Sequence, residues 1–198
     1  MLGSVALAGG LVSTSASATD SPTVVRAHLD PLNNSGITGT AKVTFQGDDA
    51  HVSIDAYGLA PNLPHAEHIH FGMEARHECP TFKDDTDLDF RLNTTEGLPA
   101  YGPIKKSLTT RGDTSPASAL AVDRFPTAPG GVIHYDRTIK IGSAKLMRAI
   151  EAGKTVLVVH GIDYNKDGAY DFASAGKSDL DPTLPAEATD PATCGVLR

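Results

Sequence analysis

The chain has 198 residues, 40% of them hydrophobic, and a net charge of −7. That length supports one domain with its own core. The acidic balance, with no basic cluster, excludes a nucleic-acid surface and a generic anionic-membrane partner.

Residues 1–20 carry no charge before Asp20. An apolar run from Val5 to Val12 leads into Ala16-Ser17-Ala18, an h-region followed by an A-x-A cleavage site, although the basic n-region is missing. The expectation is a signal peptide over residues 1–18 and a single domain over 19–198. The apolar run is shorter than the ~20 residues a membrane span needs, and no other stretch qualifies.

Thr23–Leu29 reads as a short strand, followed by turn residues from Asp30 to Gly36. Gly39–Phe45 and His51–Tyr57 alternate at period two around a polar turn, which predicts a hairpin. Pro64–Gly72 predicts another strand, 72–103 an irregular acidic stretch, and Ile104–Leu108 and Val132–Ile139 two further strands. Ser143–Gly153 is the one predicted helix, with Ser143 as cap and Gly153 as stop. Thr155–His160 is an apolar β-branched strand, and from Gly161 onward the sequence reads as loop. Short strands with long loops and one short helix predict an all-β fold, a Greek-key antiparallel sandwich or barrel.

Three of the eight histidines fall within Pro64–Gly72. Residues i and i+2 of a strand share a face, so His68 and His70 project together, ~7 Å apart at the backbone. His160 ends a different apolar strand and is placed to supply a third nitrogen. Imidazoles in this pattern point to copper or zinc. His77 lies beyond the strand as a fourth candidate, His65 is out of phase, and His28, His51 and His134 are given no role. Two cysteines, Cys79 and Cys194, imply one bridge in an oxidising compartment. The bridge would tie down a C-terminal segment with little else to hold it.

Asp85, Asp87, Asp89 and Glu96 stand at positions 1, 3, 5 and 12 of an EF-hand-like calcium loop, with Phe90 where glycine normally sits. Asp163, Asn165, Asp167 and Asp171 form a second candidate, with Gly168 in place but Ser174 at the position of the terminal glutamate. A solvated acidic loop and a DG turn are the plainer readings of the two.

His68-Ile69-His70, Cys79 nine residues after His70, Val158-Val159-His160 and Cys194-Gly195-Val196 follow an order that resembles the copper/zinc superoxide dismutases. Gly39-Thr40-Ala41, Gly58-Leu59 and His68–Gly72 also resemble pieces of the CHRD domain. The resemblance implies a dismutase-like barrel, copper on His68, His70 and His160, and a Cys79–Cys194 bridge. Two departures stand out. Asp85 occupies the place of the histidine that bridges copper and zinc, and residues 80–130 hold no histidine, so the zinc site is absent. Pro191 replaces the arginine that draws in superoxide; Arg91, Arg111 and Lys177 are the cations available instead. His77 is the stand-in for the fourth nitrogen. The readings left open are a copper-only dismutase-like enzyme acting on superoxide, a copper scavenger, a CHRD-type structural module held by calcium and the disulfide, and, last, a zinc hydrolase.

Overall fold

A computed structural model describes residues 22–198; the expected signal peptide lies outside them. The alternation of β-branched and polar residues becomes three consecutive strands, β1 (Thr23–Pro31), β2 (Thr38–Gln46) and β3 (Asp49–Tyr57). Every second residue of β2 and β3 is buried, as a sheet with one wet face requires. The Gln46–Asp49 pair closes the hairpin around Gly47-Asp48, with Gly47 at φ 61°. The other strands are β4 (Glu67–His70), β5 (Ile104–Ser107), β6 (Val132–Lys140), β7 (Thr155–His160) and β8 (Pro191–Leu197). They form one eight-stranded sheet in the order β5-β4-β7-β8-β1-β2-β3-β6, with every pairing antiparallel. The connections from β3 to β4 and from β6 to β7 cross between distant strands, as in a Greek key.

The sheet curls around one main core. Ile69, Leu157 and Val159 from one half pack in the same cluster as Val52, Ile54 and Ile133 from the other. Side chains link the edges: Arg137 of β6 donates to the Thr109 carbonyl at 2.6 Å and to the Gly112 carbonyl at 2.7 Å, just past β5. The expected all-β antiparallel class is thus what the chain adopts.

Two expectations need correction. The first is the single helix. The described residues contain α1 (Thr94–Tyr101), α2 (Ala144–Glu151) and α3 (Ala186–Thr189). Ser143 caps α2 as expected, accepting from the Leu146 amide at 3.2 Å. Helix α1 was hidden by Gly97 and Pro99 in its interior, both poor helix formers. Its start is fixed by a capping box in which Asn93 and Glu96 accept from each other's backbone amides.

The second is the loop expected after Gly161. Residues 191–197 form β8, which lies inside the sheet between β7 and β1. The Cys79–Cys194 bridge is present, across 115 residues, and such a closure contributes about 4–5 kcal/mol by chain-entropy reasoning. It does not hold a loose tail. Cys194 is fully buried and pairs with Val158 on one side and Asp30 on the other. Gly195 permits that fit: a Cβ there would lie 2.2 Å from the His28 carbonyl oxygen of β1.

Candidate metal centre

Strand β4 separates its side chains by face. Ile69 joins the main core, as does Phe71 just beyond the strand. His68 and His70 point the other way, where Leu32, Tyr101, Val156, Val158 and Cys194 form a smaller cluster. In register, His68 sits beside Val158 and His70 beside Val156. His160 ends β7 on the same face, after a register shift at Val159/His160 in the pairing with β8. One ring nitrogen from each of the three lies within 4.8 Å of the others. The ring centroids are 5.1–6.2 Å apart, and all three residues are buried.

The hydrogen bonds decide what these rings offer. His68 Nε2 donates to the Ala119 carbonyl at 3.2 Å, His70 Nδ1 to the Gly102 carbonyl at 2.7 Å, and His160 Nδ1 to the Thr189 carbonyl at 2.6 Å. A carbonyl only accepts, so each bond places the proton on that nitrogen. The remaining nitrogens, His68 Nδ1, His70 Nε2 and His160 Nε2, are buried with no hydrogen-bond partner. Burial drives all three imidazoles towards the neutral form. It pushes His68 well below its usual range, His70 down to about 3 and His160 down to about 4. The proximity of His160 lowers His68 and His70 further. Three neutral rings with one lone pair each, oriented by backbone carbonyls, are the donor set and outer support of an imidazole metal site.

Helix α1 roofs this site. Tyr101 packs its ring 4.4 Å from that of His70 and donates its hydroxyl to the Thr94 carbonyl. The Thr94 hydroxyl donates to Thr189 O, the same oxygen that holds His160. Gly102 ends the helix at φ 82°, where a Cβ would lie 2.5 Å from the Gly72 amide nitrogen. Only glycine delivers this carbonyl to His70.

Next to the site, Asp190 has a fully buried side chain and accepts from Arg91 at 2.8 Å and from the Tyr164 hydroxyl at 3.0 Å. Burial raises its carboxyl to about 6 against the opposing pull of Arg91. On the core side of β4, Glu67 is fully buried with neither oxygen partnered, and desolvation raises it well above the usual carboxylate range. Buried Glu187 takes the Tyr164 and Asp171 amides and the Ser174 hydroxyl, fastening the 163–174 loop. None of these three was singled out from the sequence. The backbone acceptors Ala119, Gly102 and Thr189 escaped too, because a carbonyl's role leaves no mark on residue identity.

Other expected site residues lie elsewhere. His77 is not brought to the cluster; it stacks on Phe71 at 5.5 Å and bonds to the Gly72 carbonyl at 2.8 Å. His65 is fully buried, and its ring nitrogens lie 2.9 Å from the His160 carbonyl and 3.2 Å from the Ala60 carbonyl.

In the first acidic loop, Asp85, Asp87 and Asp89 offer carboxylate oxygens within 4.8 Å of one another. Glu96 does not join them. Its oxygens accept from the amides of Thr86, Asp87 and Asn93 and from the Thr86 hydroxyl. Asp85 is likewise taken up by the Leu88 and Phe90 amides. Phe90 meets the turn by adopting φ 64°. In the second loop, Asp163, Asn165 and Asp167 accept from the loop's own amides, and Asp171 accepts from Ala173. Of the cations proposed as guides, Arg91 is held by Asp190 and Asp89, and Arg111 by Asp123.

No family model and no curated protein matches the chain, so the CHRD likeness stands on its short residue pattern alone. Among solved structures, the chain is similar to Candida albicans superoxide dismutase 5 with Cu(II). Identity is 18%, coverage is 89% of this chain and 92% of that one, and the TM-score is 0.45. A likeness at that level says nothing about activity.

Proposed function

We propose that this protein binds copper through His68, His70 and His160 and retains it in an exported compartment. The observation that carries the reading is the orphaned nitrogen on each of three buried imidazoles, when the other nitrogen of each ring is already fixed by a carbonyl. Unpaired buried polar atoms cost free energy, and three together on one face call for a shared partner. Three imidazoles suit copper and zinc alike. The choice of copper follows the spacing shared with the copper/zinc dismutases. Copper held there would supply one-electron redox chemistry. The chain's own part is to fix the rings, keep them neutral and exclude water. The disulfide and the apolar stretch at Val5–Val12 support export.

Dismutation of superoxide is the second reading, favoured by the same spacing. Pro191 in place of the guiding arginine and the engagement of Arg91 and Arg111 in ion pairs weigh against it. Elemental analysis with EPR, on protein purified without added metal, tests the first reading. One copper per chain with a nitrogen-rich Cu(II) spectrum, both lost in His70→Ala, is expected. Copper at background in the wild type overturns it. The rate of superoxide decay after pulse radiolysis separates retention from turnover.

A further inference from the structure

We infer that the histidine site selects the monovalent ion, Cu(I), and that its residues discriminate against divalent metals. This rests on the copper-binding reading and names the charge state that the site takes. Among the described residues, the group that closes on one point here consists of three histidines, with no carboxylate and no thiolate. Each ring offers one neutral lone pair, because its other nitrogen donates to a carbonyl. The chain therefore brings three donors to the ion and no negative charge.

The surroundings supply little more. The three residues are buried, and Tyr101 and Phe125 pack their rings on His70 and His68. The Tyr101 hydroxyl donates to the Thr94 carbonyl. Gly97 makes room for that ring, since a Cβ there would lie 2.4 Å from it. The neighbouring carboxylates are already engaged. Asp179, whose charge reaches His160, accepts from the Thr95 amide at 2.6 Å and from its hydroxyl at 2.5 Å. Asp190 is held by Arg91 and Tyr164. Glu67 precedes His68 in β4 and so faces the other side of the strand. Two physical effects then act in the same direction. The cost of placing charge in a dry site grows with the square of the charge, so a dication costs about four times as much as a monocation. Cu(II) favours a tetragonal shell and Zn(II) four ligands, so each needs a water or an anion beyond the three nitrogens. Cu(I), a filled-shell ion of low coordination number, is satisfied by the imidazoles alone.

Competition titrations test this on metal-free wild-type protein, with Cu(I) under argon against bicinchoninate and with Cu(II) against nitrilotriacetate. Cu(I) should bind about a hundredfold more tightly, which puts the bound couple about 120 mV above the aqueous one at about 59 mV per tenfold. Ag(I), a monovalent probe that is stable in air, should shift the ring ¹⁵N signals of His68, His70 and His160. Zn(II) should displace it only at about a hundredfold excess. Tyr101→Glu sets a carboxylate against His70 and should narrow the Cu(I) preference by about tenfold, whereas Tyr101→Phe should leave it in place. Equal affinities of the wild type for Cu(I) and Cu(II), or displacement of Ag(I) by an equal concentration of Zn(II), overturn the inference and leave the copper reading standing. If the wild type binds none of these ions, the copper reading falls and the inference with it.

Discussion

The histidine cluster and the first acidic loop both present ligand atoms at alternate positions, yet they differ in what those atoms already touch. At His68, His70 and His160 the second nitrogen of each buried ring has no partner. At Asp85 and Glu96 the oxygens are taken by amides and a hydroxyl of the same loop. One region gathers donors that lack a partner; the other is a turn that satisfies itself. Spacing alone does not separate the two, whereas an account of unpaired buried atoms does.

The pH axis should separate them most widely. In the metal-free protein, His65, His68, His70 and His160 have lowered proton affinities. As pH falls through the ordinary imidazole range the unfolded chain therefore takes up protons at these rings that the folded chain resists. Glu67 and Asp190 run the other way, since burial raises both and the folded chain holds protons there that the unfolded chain releases. The four imidazoles outnumber the two carboxyls, so stability should fall as pH drops below about 6, by about 1.4 kcal/mol per pH unit for each proton of net difference. The acidic loop enters later. Hydrogen bonds lower the Glu96 carboxyl despite its desolvation, so its contribution is present above about 4.5 and lost only as pH falls further. Denaturant midpoints from pH 7 to 4 check both, and a flat profile above 4.5 would remove the distinction. Loaded metal should move the loss to lower pH, because the lone pairs are then occupied.

His70→Ala should cut copper affinity by about a thousandfold, roughly 4 kcal/mol, while Asp87→Asn in the acidic loop leaves copper content unchanged. Competition with a chelator of known affinity measures both. Equal losses would show that the two regions are one site.

Arg91 connects the regions, since it leaves the acidic loop to meet Asp190 beside Thr189. Removing it in Arg91→Ala strands a buried carboxylate and should cost about 3 kcal/mol of stability. Urea unfolding reads this, and the loss should shrink as pH falls towards 6, where Asp190 protonates. The smallest effect is expected for Glu96→Ala, which deletes one arm of the capping box and the acceptor of the Thr86 and Asp87 amides and should cost about 2 kcal/mol, with copper content unchanged.

Much of the site was legible because a strand makes it so. The period of two placed His68 and His70 together, and the apolar run before His160 marked a second buried strand. The supporting shell was not legible: it consists of the carbonyls of Ala119, Gly102 and Thr189, which any residue carries. The fold was legible where one face of a strand meets water, as in β2 and β3. It failed at β8, where all but one residue is buried and proline and glycine interrupt the pattern. Helix α1 failed for a related reason. The Glu96 that helps cap it also fits the last position of a calcium loop, and both readings draw on the same side chain.

The position of β8 also bears on biogenesis. Strands β1, β2, β3 and β6 form one half of the sheet and β5, β4 and β7 the other, and β8 joins them. It is the last of the eight strands to be synthesised. Until it emerges, β1 and β7 each present an open edge, and Cys79 has no partner. A nascent chain in that condition invites edge-to-edge association. Cells making this protein would then gain most from a holdase that covers those edges, with the oxidant needed only after the final strand has docked.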